Sequence, residues 1–209
     1  MSAASHGPDP ATLDWSKGDG LVPAVVQHAL DGRVLMLGFM DRAAYETTRV
    51  SGLATFYSRS RQRQWTKGES SGHVLRVQSL HVDCDADTLL VLALPQGPTC
   101  HRGTDTCFGD AAAPALTFLG QLDALVAQRE QLRPQGSYTT RLFEDGVRRI
   151  AQKVGEEGVE TALAAVAQDD DALRGEAADL VFHLLVLLRA RGLDLAAVVE
   201  TLALRHAGR

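Results

Sequence analysis

The chain has little of what staples or anchors a protein. Only three of its 209 residues are cysteine, and an odd number excludes a fully paired disulfide set. No apolar run reaches the ~20 residues that a membrane-spanning helix needs, so no membrane partner is expected. Charge of one sign is also scarce. A formal net charge of −5 argues against a general nucleic-acid binder. Met1 to Thr12 lack the basic start and apolar stretch of a secretory signal and read as a loose tail. Free thiols without an export signal point to the cytoplasm. Aromatic residues make up 5% of the chain, so the tryptophan set among cations at position 65 stands out.

What is there suffices for a core, since 45% of residues are hydrophobic. The text changes character at the Ala/Pro-rich stretch 111–115. Before it, Val22 to Gln27, Val34 to Phe39, Ala54 to Ser58, Val74 to Val82 and Thr88 to Leu94 read as short strands separated by turn signals. One helix is expected from Asp41 to Val50, capped by Asp41. After it, apolar residues recur with helical spacing. Leu122, Leu125, Val126 and Leu132 form one face. Leu142, Val147, Ile150 and Val154 form a second. Leu173, Ala177, Leu180, Leu184 and Leu188 form a third, capped by Asp170 or Asp171. Asp194 caps a fourth helix to about Leu204. The expected fold class is α+β in two domains, mainly β and then all-α. The boundaries are a tail 1–12, a first domain 13–110, a linker 111–115 and a second domain 116–209.

All three cysteines fall between residues 84 and 107. Cys84 lies within Asp83-Cys84-Asp85-Ala86-Asp87, and Cys100 and Cys107 bound Cys100-His101-Arg102-Gly103 through Cys107. Three thiolates with a free fourth position describe a catalytic zinc better than a structural one. Such a zinc lowers the pKa of its bound water to about 7. His101 could shuttle a proton there or serve as a structural hydrogen-bonding histidine. In an extended segment Asp83, Asp85 and Asp87 share a face, with Cys84 on the other. Their hard oxygens suit Mg²⁺. Between Thr55 and His73, Arg59, Arg61, Arg63 and Lys67 surround Trp65 among serines and threonines. This is equipment for a phosphorylated, base-containing ligand. It would also suit single-stranded nucleic acid.

In the helical half, Glu157 and Glu160 are three apart, as are Glu176 and Asp179. On facing helices each pair shares a side, and four carboxylates would converge on Mg²⁺. Lys153 sits one turn before Glu157. Asp179 interrupts the apolar run Ala177 to Phe182, where a carboxylate is costly unless paired or ligated.

These motifs carry two resemblances. Ser58-Arg59-Ser60-Arg61, Trp65-Thr66-Lys67-Gly68-Glu69-Ser70-Ser71-Gly72, the Asp83–Asp87 block and the Cys100–Phe108 segment resemble phosphoribosyl-AMP cyclohydrolase of histidine biosynthesis. The resemblance runs from about Leu13 to Gly109. It implies a zinc enzyme that opens the adenine ring of phosphoribosyl-AMP, with zinc on Cys84, Cys100 and Cys107 and magnesium on Asp83, Asp85 and Asp87. It further implies substrate contacts at Arg59, Arg61, Trp65, Lys67, Glu69 and Ser71, with His101 in the chemistry, and a homodimer whose zinc sites draw cysteines from both subunits. Glu157-x-x-Glu160 with Glu176-x-x-Asp179 resembles the all-α MazG-like nucleotide pyrophosphohydrolases. Tyr138-Thr139, Lys153-Val154-Gly155-Glu156-Glu157 and His183-Leu184-Leu185 narrow this to phosphoribosyl-ATP pyrophosphatase. That resemblance implies magnesium on Glu157, Glu160, Glu176 and Asp179, catalysis by Glu157 and Glu160, and a substrate contact at Lys153. The second family's product is the first family's substrate. The alternative is a general nucleotide pyrophosphatase with a non-catalytic zinc or RNA-binding N-terminal module.

Overall fold

The computed structural model describes residues 7–109 and 113–207. The first six residues of the expected tail, and Ala111 and Ala112 of the expected linker, lie outside them. The chain separates into two compact units, 1–117 and 118–209.

Among the described residues the first unit holds six strands, one α-helix and a 3-10 turn. Strands β1 (Val22–His28), β2 (Val34–Met40), β5 (Leu75–Val82) and β6 (Leu89–Pro95) form a sheet in the order β2-β1-β6-β5. Both hairpin pairings are antiparallel, and β1 meets β6 in parallel. Alternate residues point to one side, so Val22, Ala24 and Val26 of β1 and Leu89, Val91 and Ala93 of β6 are buried together. Helix α1 (Arg42–Ser51) packs Ala44, Tyr45 and Thr48 into this core. Asp41 caps it as expected, accepting from Ala44 N–H at 2.7 Å.

Strands β3 (Thr55–Ser58) and β4 (Arg63–Thr66) form a separate antiparallel pair. Residues 8–12 are not the loose tail that composition suggests. Pro10 is buried in a 3-10 turn, Tyr45 Oη donates to Pro8 O at 2.9 Å and Trp15 Nε1 donates to Pro10 O at 2.9 Å.

The second unit contains α2 (Thr117–Leu132), α3 (Tyr138–Asp145), α4 (Val147–Ala167), α5 (Asp170–Ala190) and α6 (Leu195–His206). The single helix expected over Leu142 to Val154 is two, because Gly146 sits at φ +85° and turns the chain between α3 and α4. Asp169, rather than Asp170 or Asp171, caps α5, and Asp194 caps α6 as expected. The core joins Val126, Leu142, Phe143, Ile150, Leu185 and Val186. The α5 face expected from periodicity is not the buried one. Leu184 is exposed, while His183, Leu185 and Val186 are buried. The carboxyl-terminal half of α5 is apolar on nearly every side, so periodicity cannot choose its inner face. Arg189 ties α5 to α2 through Asp123 at 2.9 Å.

Candidate active sites

A cleft of ≈ 750 Å³ opens in the first unit, walled by β4, the loop that follows it and the loop carrying Cys100 and Cys107. It gathers most residues singled out in the sequence. Arg61, Trp65, Lys67, Glu69 and Ser71 line it, as do Cys100, His101 and Cys107.

Local structure explains each placement. Trp65 pairs with Phe56 across β3 and β4, with ring centroids 5.2 Å apart. Glu69 closes the turn after β4, accepting from Thr66 N–H and from Arg63 Nη2, each at 3.1 Å. The Thr66 amide, with Arg63 behind it, holds the Glu69 carboxyl below its ordinary range. Lys67 Nζ donates to His73 O at 3.2 Å. Burial pushes the Lys67 ammonium down, and the nearby Cys107 and Cys100 sulfurs oppose that.

The cysteine loop is pinned to β2. Cys107 N–H donates to Leu35 O at 2.8 Å, and Thr106 Oγ1 lies 2.9 Å from Val34 O and 3.1 Å from Leu35 O. The two thiols are unequal. Arg102 N–H points at Cys100 Sγ and lowers that thiol, whereas partial desolvation of the sulfur, joined by the Cys100 charge, raises Cys107, although that residue as a whole is exposed. Cys100 is therefore the first of the pair to ionise. Arg102 contributes its backbone here and is exposed.

Two expectations are altered, and the three cysteines do not meet within one chain. Arg59 does not line the cleft; its guanidinium stacks 3.8 Å over the Phe39 ring centroid. Cys84 is exposed in the β5–β6 turn and forms no metal-sized group with Cys100 and Cys107. Asp83, Asp85 and Asp87 do converge, with one oxygen from each within 4.8 Å of the others, but not along an extended strand. The chain turns there. Asp83 Oδ1 accepts from Asp87 N–H and Thr88 N–H, each at 3.0 Å, and this turn gathers the carboxylates. Lys17, unnoticed in the sequence, reaches Asp85 Oδ2 at 2.8 Å and Asp87 Oδ2 at 3.2 Å. Its ammonium is raised chiefly by Asp85. The oxygens suit a hard divalent ion in type and spacing, but such an ion competes with Lys17.

In the second unit, Glu157 of α4 meets Glu176 and Asp179 of α5, with one oxygen from each within 4.8 Å of the others. The side chain that bears the burial cost is Glu157, at 4% exposure, not Asp179, which is exposed. Lys153 Nζ lies 2.7 Å from Glu157 Oε1 and 2.9 Å from Glu156 Oε2. The Lys153 bond holds Glu157 below the ordinary carboxylate range. Glu160, an exposed residue, faces the same cluster; partial desolvation of its carboxyl and the charges of Glu157 and Glu176 raise it. Sequence reasoning assigned no task to His183 or to the Tyr138 hydroxyl. His183 is buried, its Nδ1 is 2.9 Å from Asp179 O and 3.6 Å from Glu157 Oε1, and its Nε2 meets Tyr138 Oη at 3.0 Å. Three of the four expected carboxylates, Glu157, Glu176 and Asp179, thus converge as oxygen donors suited to Mg²⁺, with Glu160 beside them and outside that close group.

A thiol-bearing cleft on a β unit and a carboxylate cluster on a helical unit define a two-domain hydrolase. Residues 36–109 match the family model for phosphoribosyl-AMP cyclohydrolase, and residues 119–206 match that for phosphoribosyl-ATP pyrophosphohydrolase. The chain is 65% identical over 196 residues to the histidine biosynthesis bifunctional protein HisIE of Xanthomonas axonopodis pv. citri, covering 94% of each. It is 67% identical over 194 residues to HisIE of Xylella fastidiosa (93% of each chain) and 59% identical over 194 residues to that of Escherichia coli K12 (93% of this chain, 95% of the relative). The chain belongs to the bifunctional histidine-biosynthesis family, cyclohydrolase domain first and pyrophosphohydrolase domain second. The resemblances to phosphoribosyl-AMP cyclohydrolase and to phosphoribosyl-ATP pyrophosphatase are borne out. No helix among the described residues is long and apolar enough to cross a membrane.

Proposed function

We propose that the two domains act on one substrate in succession, each at the site described above. The helical domain, taken as 116–209, hydrolyses phosphoribosyl-ATP to phosphoribosyl-AMP and pyrophosphate. The β domain, taken as 13–110, then opens the adenine ring of phosphoribosyl-AMP to the phosphoribosylformimino-AICAR ribotide. Residues 111–115 link them. The observation that carries this reading is the cleft. Its ≈ 750 Å³ suits a nucleotide, and it unites two thiols, His101 and the cations Arg61 and Lys67.

In the helical domain Glu157, Glu160, Glu176 and Asp179 would hold Mg²⁺. The ion offsets charge on phosphate oxygens and on the leaving pyrophosphate. Glu160, raised by partial desolvation and by its acidic neighbours, is the carboxylate whose oxygen takes a proton from the attacking water. Lys153 fixes Glu157 and faces substrate phosphate.

In the β domain Cys100 and Cys107 would hold Zn²⁺, with Cys84 supplied by a second copy of the chain. A bound zinc supplies water acidified to about neutral pH. Arg61 and Lys67 hold phosphate, Trp65 offers a stacking face, Ser71 offers a hydroxyl and Glu69 keeps the loop closed. The His101 imidazole nitrogen takes up a proton as C6 is attacked and returns it to N1 as the N1–C6 bond breaks. Asp83, Asp85 and Asp87 would take Mg²⁺ where Lys17 now lies.

Two observations support a homodimer. One chain brings together only two of the three thiols. Val159, Leu163 and Val166 leave an apolar stripe exposed on α4. Reduced thiols agree with a cytoplasmic setting.

The test supplies phosphoribosyl-ATP and Mg²⁺ to the full chain and follows pyrophosphate and ring-opened product together. Both should form, pyrophosphate first. Efficient hydrolysis of ordinary deoxynucleoside triphosphates without turnover of phosphoribosyl-ATP would overturn the reading.

A further inference from the structure

The cleft of the first unit holds a second imidazole that the proposed chemistry leaves unused. His73 lines it together with Cys100, His101 and Cys107. Its backbone is already engaged. The N–H donates to Ser71 Oγ at 3.3 Å and the carbonyl accepts from Lys67 Nζ at 3.2 Å. Its side chain is exposed, and the ring nitrogens have no hydrogen-bond partner among the described residues.

The surrounding chain is shaped to this residue. A Cβ on Gly97 would lie 2.8 Å from the ring Cδ2 and 3.2 Å from Nε2. A Cβ on Gly68 would lie 2.5 Å from the His73 carbonyl carbon. Both glycines hold positive φ, +99° and +86°, where side chains are strained in any case. Two glycines from different loops thus make room for one histidine, one behind its backbone and one against its ring. An imidazole held in this way, with both nitrogens unspent, offers a donor and an acceptor to whatever fills the cleft.

We propose that His73 is a substrate-contacting residue of the ring-opening site, its imidazole hydrogen-bonded to an oxygen of the nucleotide's phosphoribosyl part. This rests on the reading of the cleft as that site. Phosphate and ribose oxygens accept from an imidazole N–H. Lys67, whose ammonium reaches the His73 carbonyl, presents its charge from the same rim. The contact exists in the bound substrate and persists as the ring opens, so it lowers KM and leaves kcat nearly unchanged.

Steady-state ring opening of phosphoribosyl-AMP by the full chain tests this with three variants. His73→Ala should raise KM about tenfold, the size of one hydrogen bond, with kcat changed by no more than about twofold. His73→Asn keeps an N–H close to the place of Nδ1 and should recover most of the loss. An unchanged KM in His73→Ala overturns the proposal. So does a fall in kcat at constant KM, or an Asn variant no better than Ala. Cys100→Ser separates the two levels. If it leaves ring opening intact, the reading of the cleft fails. If it silences ring opening while His73→Ala leaves KM unmoved, the contact alone fails.

Discussion

Lys153 Nζ and Glu157 Oε1 lie 2.7 Å apart, one turn from each other on α4, with the carboxylate almost wholly buried. A buried carboxylate is tolerated only when paired or ligated, and removing one partner leaves an uncompensated charge. Lys153→Met should therefore destabilise the helical unit by about 2 kcal/mol and suppress pyrophosphate release. Urea denaturation followed on the second unit measures the first effect. Adding Glu157→Gln to Lys153→Met should restore most of the stability without restoring activity. A double variant as unstable as the single one would show that the pair does not carry the cost.

The division of labour gives a second prediction. Cys100→Ser removes the more readily ionised thiol of the cleft and should reduce ring opening more than a hundredfold while sparing pyrophosphate release. Glu160→Gln should do the reverse. Coupled assays on folded protein decide this. A single substitution that silenced both reactions would defeat the two-site arrangement.

Much of this was legible in the sequence, and the exceptions have physical causes. Strands β1, β5 and β6 announce themselves because buried and less buried residues alternate along them, and β2 because Val34 to Met40 is apolar throughout. Strand β4 does not, since Arg63-Gln64-Trp65-Thr66 pairs only with β3 and has no fully buried residue. The carboxylate pairs of α4 and α5 are local in sequence and were readable as pairs. Their partners are not: Lys17 meets Asp85 from 68 residues away, and Tyr138 meets His183 from 45. Spacing also misjudged which acid is buried. Asp179 sits in apolar text yet is exposed, while Glu157 sits in polar text yet is buried.

A third prediction concerns Thr106. Its hydroxyl reaches the carbonyls of Val34 and Leu35, and the neighbouring Cys107 amide donates to Leu35. Thr106→Val keeps the shape and removes the hydroxyl bonds. It should cost about 1 kcal/mol of stability and loosen the cysteine loop. Faster loss of bound zinc to a chelator, or faster alkylation of Cys107 in the metal-free protein, would report the loosening. Rates equal to those of the parent would show that the Cys107 amide alone holds the loop.

His28 makes the first unit sensitive to mild acid. Its Nδ1 accepts from Leu30 N–H at 3.3 Å and Asp31 N–H at 3.2 Å, which requires that nitrogen to be unprotonated. Burial lowers its pKa, and the opposing charge of the nearby Asp31 does not reverse this. A histidine depressed in the folded state binds its proton more readily when unfolded. The stability it contributes is thus complete above the unfolded value of about 6.5 and is lost as pH falls from there toward the folded value. The urea midpoint of the first unit should drop between pH 7.5 and 5.5. In His28→Asn, which keeps an acceptor oxygen and cannot titrate, the drop should be smaller. Equal drops in both proteins would place the acid sensitivity on other groups.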